Sequence, residues 1–232
     1  MKQLLAVTLC LTLLFSIGGA AWADVPGQRK NAVTELYSAE GTYTDDVGNV
    51  ESYSYHVPQL NADTPDAQAI NQEIAENFAD YVEAQFENMG GGYSLWSWHT
   101  NWHGYWHGSK LFLLIETDLN GGLHRFGAYG YDFENDCRVT GDKILKELGL
   151  TEEDYLANLR EKVQLMFEDM FASHPQRDAF GYDELLERTL NELSMEQPVF
   201  IDGAGQIETI VKVYVPAGAG YQYYLVTPYA YG

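Results

Sequence analysis

The run YSLWSWHTNWHGYWHGSKLFLLIETDLNGGLHRFGAYGY, from Tyr93 to Tyr131, constrains this chain more than any other stretch. It holds four of the five tryptophans and four of the six histidines. From Leu95 the residues alternate. Trp96, Trp98, Thr100 and Trp102 share one side of an extended chain, and Leu95, Ser97, His99, Asn101 and His103 share the other. A period of two with aromatic residues predicts a strand. Gly104 to Ser109 are expected to interrupt it. Lys110 to Thr117 then form a second, more apolar and central strand. Asn120-Gly121-Gly122 is turn chemistry, because glycine and asparagine tolerate positive φ. A third strand covers Leu123 to Phe133. Three consecutive antiparallel strands make a meander large enough to fold against a helix.

The flanking segments supply that partner. Val33–Thr44 and Val50–Val57 alternate β-branched and tyrosine positions with polar ones around the turn at Asp45 to Asn49, which predicts a hairpin. Thr64-Pro65-Asp66 starts a helix. Its apolar positions Ala67, Ile70, Ile74, Phe78, Tyr81, Val82 and Met89 recur at helical spacing until Gly90-Gly91-Gly92. A short helix covers Lys143–Leu148. Thr151 to Asp154 resembles a capping box opening a long helix, whose buried face is Tyr155, Leu159, Val163, Met166, Phe167 and Met170. A further helix spans about Tyr182 to Leu193. Pro198–Ile201 and Ile207–Tyr214 read as a second hairpin, and Gln222–Val226 as a last strand. Without βαβ alternation this order predicts an α+β fold: antiparallel sheet with packed amphipathic helices in a single compact domain.

Composition enters through export and charge. Residues 1–23 have the form of a signal peptide: Lys2, an apolar stretch from Leu4 to Ile17, and Ala21-Trp22-Ala23 as a small-x-small cleavage site. Residues 24–31 form a flexible lead-in, and 32–232 the domain. Cleavage would remove Cys10, leaving Cys137 as a lone thiol with no internal disulfide to form. It would also remove Lys2, taking the formal charge from −21 to −22. That charge opposes nucleic acid and anionic membranes; it favours basic partners or cations, or else serves solubility alone. No membrane span is expected after cleavage. The protein is expected outside the cytoplasm, either periplasmic or secreted.

Five short motifs in this order resemble the extracellular domain of RsiV-type anti-sigma factors, which also precedes the catalytic domain in PdaC-like peptidoglycan deacetylases. They are Tyr-His-Val-Pro-Gln-Leu (55–60), Ile-Asn-Gln-Glu-Ile (70–74), Gly-Gly-Leu-His (121–124), Thr140-Gly141 with the following short helix, and Pro-Tyr-Ala-Tyr-Gly (228–232). The similarity spans about 33–232. It implies an exported, non-catalytic binding or sensing domain of the cell envelope, with no cofactor. In RsiV-type proteins the domain binds lysozyme, so the resemblance makes a basic protein such as lysozyme the candidate partner.

Several residues offer other chemistry. Trp96, Trp98, Trp102, Trp106 and Tyr105 offer flat aromatic faces for cell-wall glycan, or else cover the helix-facing side of the sheet. His99, His103 and His107 are spaced by four, a good metal spacing on a helix. On a strand, four residues span roughly 13 Å, too far for one ion. His-Thr-x-x-His at 99–103 fits a polysaccharide-deacetylase string, with Asp46, His99 and His103 as its metal set. Glu116 and Asp118 share a strand face, as a glycosidase pair would, but a solvated strand end gives the same pattern. His124 follows a glycine turn and is read as a hydrogen-bonding residue there, or as a binding residue.

Overall fold

The computed structural model describes residues 31–45, 47–88, 97–119, 123–171, 181–216 and 220–229. The expected signal peptide, Asp46, Trp96, the two glycine turns at 90–92 and 121–122, and the last three residues lie outside them.

Strands β1 (Val33–Thr44) and β2 (Val50–Leu60) form the expected hairpin, paired from Val33 with Leu60 to Thr44 with Val50. Asp45 fixes its tip, where one carboxylate oxygen accepts the backbone N–H groups of Val47 at 3.0 Å and Asn49 at 2.7 Å. The next helix runs continuously through α1 (Pro65–Ile74), a π turn (Ala75–Ala79) and α2 (Asp80–Asn88). Thr64 caps it by accepting the Ala67 N–H at 3.2 Å. Asn71 fastens α1 to the end of β2. Its side-chain amide accepts the Leu60 N–H at 2.7 Å and donates to the Leu60 carbonyl at 2.9 Å. This gives a structural reason for an asparagine after Ile70, nearly two turns into the helix.

Strands β3 (Ser97–His107), β4 (Lys110–Leu119), β5 (Leu123–Asp132) and β6 (Cys137–Val139) complete a six-stranded sheet in the order β1-β2-β3-β4-β5-β6. The expected interruption at Gly104 is absent, because β3 runs on to His107 and turns at Gly108, where φ is +61°. Gly104 keeps the strand close to its neighbours: a Cβ there would lie 3.3 Å from Leu111 and 3.4 Å from Trp102. Pairing is antiparallel throughout the described sheets except between β2 and β3. These two run parallel through Ser54 with His99 and Tyr55 with Thr100. The helix between them causes this by carrying the chain back to the end of the sheet from which β2 started.

Helices α3 (Gly141–Glu147), α4 (Glu152–Phe171) and α5 (Tyr182–Asn191) follow. Strands β7 (Val199–Ile201), β8 (Ile207–Tyr214) and β9 (Tyr221–Tyr229) form a separate antiparallel sheet. Thr151 caps α4 as one half of the expected box: its hydroxyl accepts the Asp154 N–H at 3.1 Å, and the Asp154 carboxylate accepts from that same hydroxyl at 2.7 Å and not from the Thr151 backbone N–H. The result is an α+β fold.

Strand β4 reads as an unbroken apolar run because both its faces are covered. Leu111, Leu113 and Ile115 face a core with Ile70, Ile74 and Phe78 of the first helix. Phe112 and Leu114 face a second core with Tyr155, Leu159, Val163 and Phe167 of α4 and with Phe200, Ile210 and Val213 of the smaller sheet.

Asp132 closes the β5–β6 connection. It is 4 % exposed and accepts hydrogen bonds from the Ser109 hydroxyl at 2.7 Å, the Asn135 amide at 2.7 Å and the Glu134 N–H at 3.0 Å. Burial pushes its carboxyl up, but these donors outweigh burial and hold it down at about 2. A carboxylate depressed in the folded state stabilises above its unfolded value, and that stability is lost as pH falls through the folded value. Asp132→Asn is therefore expected to lose about 2 kcal/mol at neutral pH. It should also flatten the stability profile between about pH 4 and pH 2. Urea unfolding at several pH values checks this, and an unchanged acid limb in the variant would count against it.

Candidate functional site

The face of the large sheet turned toward the smaller sheet carries the residues of interest. Its cross-strand rows follow from register. His99, Asp118 and His124 form one row across β3, β4 and β5, and Asn101, Glu116 and Phe126 form the next. Directly opposed residues in a sheet project from the same face. Farther along, Tyr105 and Leu114 reach the smaller sheet. With Phe200, Asp202, Glu208, Leu225 and Thr227 they line a cleft of about 230 Å³.

The cleft has an apolar floor and an acidic wall. Tyr105 and Phe200 stack with ring centroids 6.1 Å apart and planes 11° apart. Burial holds the Glu208 carboxyl above the usual range; the hydrogen bond from Thr227, at 2.6 Å, works against this, and neighbouring Asp202 adds to it. Burial also raises the Tyr105 phenol, and the charges of Asp202, Glu208 and Glu116 push it further up. Glu116 therefore belongs electrostatically to the same region. The His107 ring stands 2.8 Å from the Asp202 carbonyl and ties β3 to the turn of the smaller sheet. Among the described residues, no lysine or arginine lines the cleft.

Beside it, Glu116, Asp118 and His124 converge. His124 Nδ1 is 2.9 Å from Glu116 Oε1 and 3.0 Å from Asp118 Oδ1. The His124 ring lies nearly parallel to Phe126, with planes 15° apart and centroids at 5.9 Å. The two carboxylates singled out on β4 thus do share a face, and their common partner is the histidine singled out separately on β5. No linear spacing could have shown this, because the contact depends on the register of β4 against β5.

The remaining candidate residues divide between faces. Trp102 and Trp106 are half-buried and pack into the core beneath the first helix, with Trp106 and Phe133 ring centroids 5.5 Å apart. Tyr105 lies on the opposite face, among the residues of the other core. Trp98 is half-buried. These rings therefore do not lie on one platform. His99 and His103 stand four residues apart along a true strand, and Asp45, next to Asp46 in the chain, sits at the tip of the β1–β2 hairpin. Asp46, the third member of the deacetylase set, lies outside the described residues. Cys137 is half-buried and free, with the Lys143 ammonium 3.7 Å from its sulfur.

Charge is distributed unevenly. From Asn31 to Ser109 the chain has no lysine or arginine, so the β1–β2 hairpin, the first helix and β3 carry only acidic formal charge. No helix among the described residues is long and apolar enough to cross a membrane.

No protein-family model and no curated protein matches this chain. Among solved structures it is similar to a member of the DUF3298 family from Bacteroides fragilis NCTC 9343. The identity is 10 %, the TM-score is 0.35, and the match covers 85 % of this chain and 91 % of that one.

Proposed function

We propose that this protein is an exported, non-catalytic binding domain of the cell envelope that captures a basic protein. The observation that carries this is the cleft between the sheets. It has apolar walls at Leu114, Phe200 and Leu225 and carboxylates at Asp202 and Glu208. Lysine and arginine have that same division, an apolar stem and a cationic head. The formal charge of −21 steers a basic partner toward the surface, and about a third of the chain, from Asn31 to Ser109, has no lysine or arginine to offset its acids. The resemblance to RsiV-type ectodomains makes lysozyme the specific candidate. The signal-like first 23 residues support export.

Calorimetric titration with a basic lysozyme, at low and at physiological salt, tests this reading. Binding is expected at both, weaker at the higher salt because screening shortens the reach of surface charge. Glu208→Gln keeps the size of the side chain and removes the charge, and should weaken binding at least about tenfold. Binding indifferent to both salt and Glu208→Gln would remove the electrostatic reading. No heat at either salt, with tryptophan fluorescence that responds to wall oligosaccharides, would favour glycan recognition instead.

A further inference from the structure

We propose that Glu116, Asp118 and His124 form a binding site for a single divalent transition-metal ion of the Zn²⁺ class. One oxygen from each carboxylate and one imidazole nitrogen lie within 4.8 Å of one another. The two nitrogen–oxygen separations, 2.9 and 3.0 Å, are close to what an ion requires. With metal–ligand bonds of about 2.0–2.2 Å, ligand atoms around one ion stand about 3–3.5 Å apart. A small outward shift of three side chains would admit the ion without moving the backbone.

The frame is rigid. Asp118 and His124 are opposed partners in the β4–β5 ladder, and Glu116 is two residues away on the same face. Phe126 stacks on the His124 ring, so Nδ1 is aimed at both carboxylates. Electrostatics favours a cation there. Two neighbouring carboxylates share one imidazole. The lysine and arginine ion pairs among the described residues join Lys110 to Glu147, Arg138 to Glu73 and Lys212 to Glu192, so none reaches Glu116 or Asp118. A divalent ion would neutralise both carboxylates.

The imidazole selects the metal class. Calcium and magnesium prefer all-oxygen ligands, whereas imidazole suits zinc and its neighbours. All three side chains are partly exposed, at 36 %, 43 % and 46 %, which leaves coordination positions open to water or to a ligand. A second histidine among carboxylates provides a contrast. His56 approaches Glu40 through Nε2 at 3.0 Å and Glu35 through Nδ1 at 3.6 Å, so its two acids lie on different edges of the ring and cannot meet one ion with it.

The test is calorimetric titration of Zn²⁺, and separately Ca²⁺, into tag-free, chelator-treated protein. One Zn²⁺ site is expected. His124→Ala should weaken it at least tenfold, and His56→Ala should leave it unchanged. Thermal melting gives a second readout: Zn²⁺ should raise the melting temperature of the natural protein but not of His124→Ala, and the two should melt alike without metal. Three results would overturn the proposal: no Zn²⁺ binding at millimolar metal, binding insensitive to His124→Ala, or Ca²⁺ bound as tightly as Zn²⁺. The site does not depend on the basic-partner reading, since metal binding is measured here with no partner present.

Discussion

Phe167→Ala is expected to remove about 3–5 kcal/mol of stability, the largest loss from any single change considered for this protein. Phe167 is fully buried on α4, where its ring lies 4.8 Å from Phe171 and 5.0 Å from Tyr182 by centroid. It holds together a core that includes α4, α5, the smaller sheet and one face of β4. Truncation removes the transfer energy of a large ring and leaves a cavity that two further rings and a rigid sheet can fill only in part. For a domain of this size the melting temperature should fall by roughly 10–15 °C. Chemical denaturation of the variant measures the loss directly. Phe167→Leu should recover part of it. A loss below about 1 kcal/mol would mean that α4 does not rely on this contact.

Gln85→Ala is expected to lose about 3 kcal/mol for a different reason. Gln85 is 2 % exposed on α2, and its amide bridges two strands. It donates to the Tyr55 hydroxyl on β2 at 2.7 Å and accepts the Ser97 N–H on β3 at 3.3 Å. Tyr55 in turn donates to the Ser97 carbonyl at 2.6 Å. This network sits where the short parallel contact joins the β1–β2 hairpin to the rest of the sheet. Removing the amide takes a partner from two buried groups at once. Gln85→Leu fills the space without the hydrogen bonds and should be nearly as damaging, which separates the polar loss from the cavity. Hydrogen exchange adds a local readout: the amides of Ser97 to Thr100 should lose protection in both variants before the β4–β5 ladder does. Equal protection in variant and natural protein would show that the parallel pairing stands without the network.

These two positions show unequal degrees of legibility in the sequence. Phe167 belongs to a helical stripe that periodicity reveals, since Tyr155, Leu159 and Val163 precede it at intervals of four. Gln85 gives no such signal. It is a polar residue on an amphipathic helix, and only the fold places it beneath a strand 12 residues away in the chain. His124 is a similar case. Its chemistry was visible, and so was that of Glu116 and Asp118, but their meeting depends on one ladder register. A slip of one residue would place His124 on the other face of the sheet.

Local patterns in the sequence place most of the elements, the short strand β6 excepted. Periods of two and of 3.6, capping residues at Thr64 and Thr151, and the doubly apolar run of β4 place the strands and helices, because those signals arise from contacts within a few residues of one another. Tertiary structure alone decided which strands became neighbours: the parallel pairing of β2 with β3, the division of the strands into two sheets, and the passage of β3 straight through Gly104. It also decided which polar residues share a face and therefore assembled both the acidic cleft and the Glu116–Asp118–His124 group. The physical reason is that strand pairing is a non-local choice. It is set by how two cores close on opposite faces of β4, and no local pattern encodes the distance between residues that only such closure brings together.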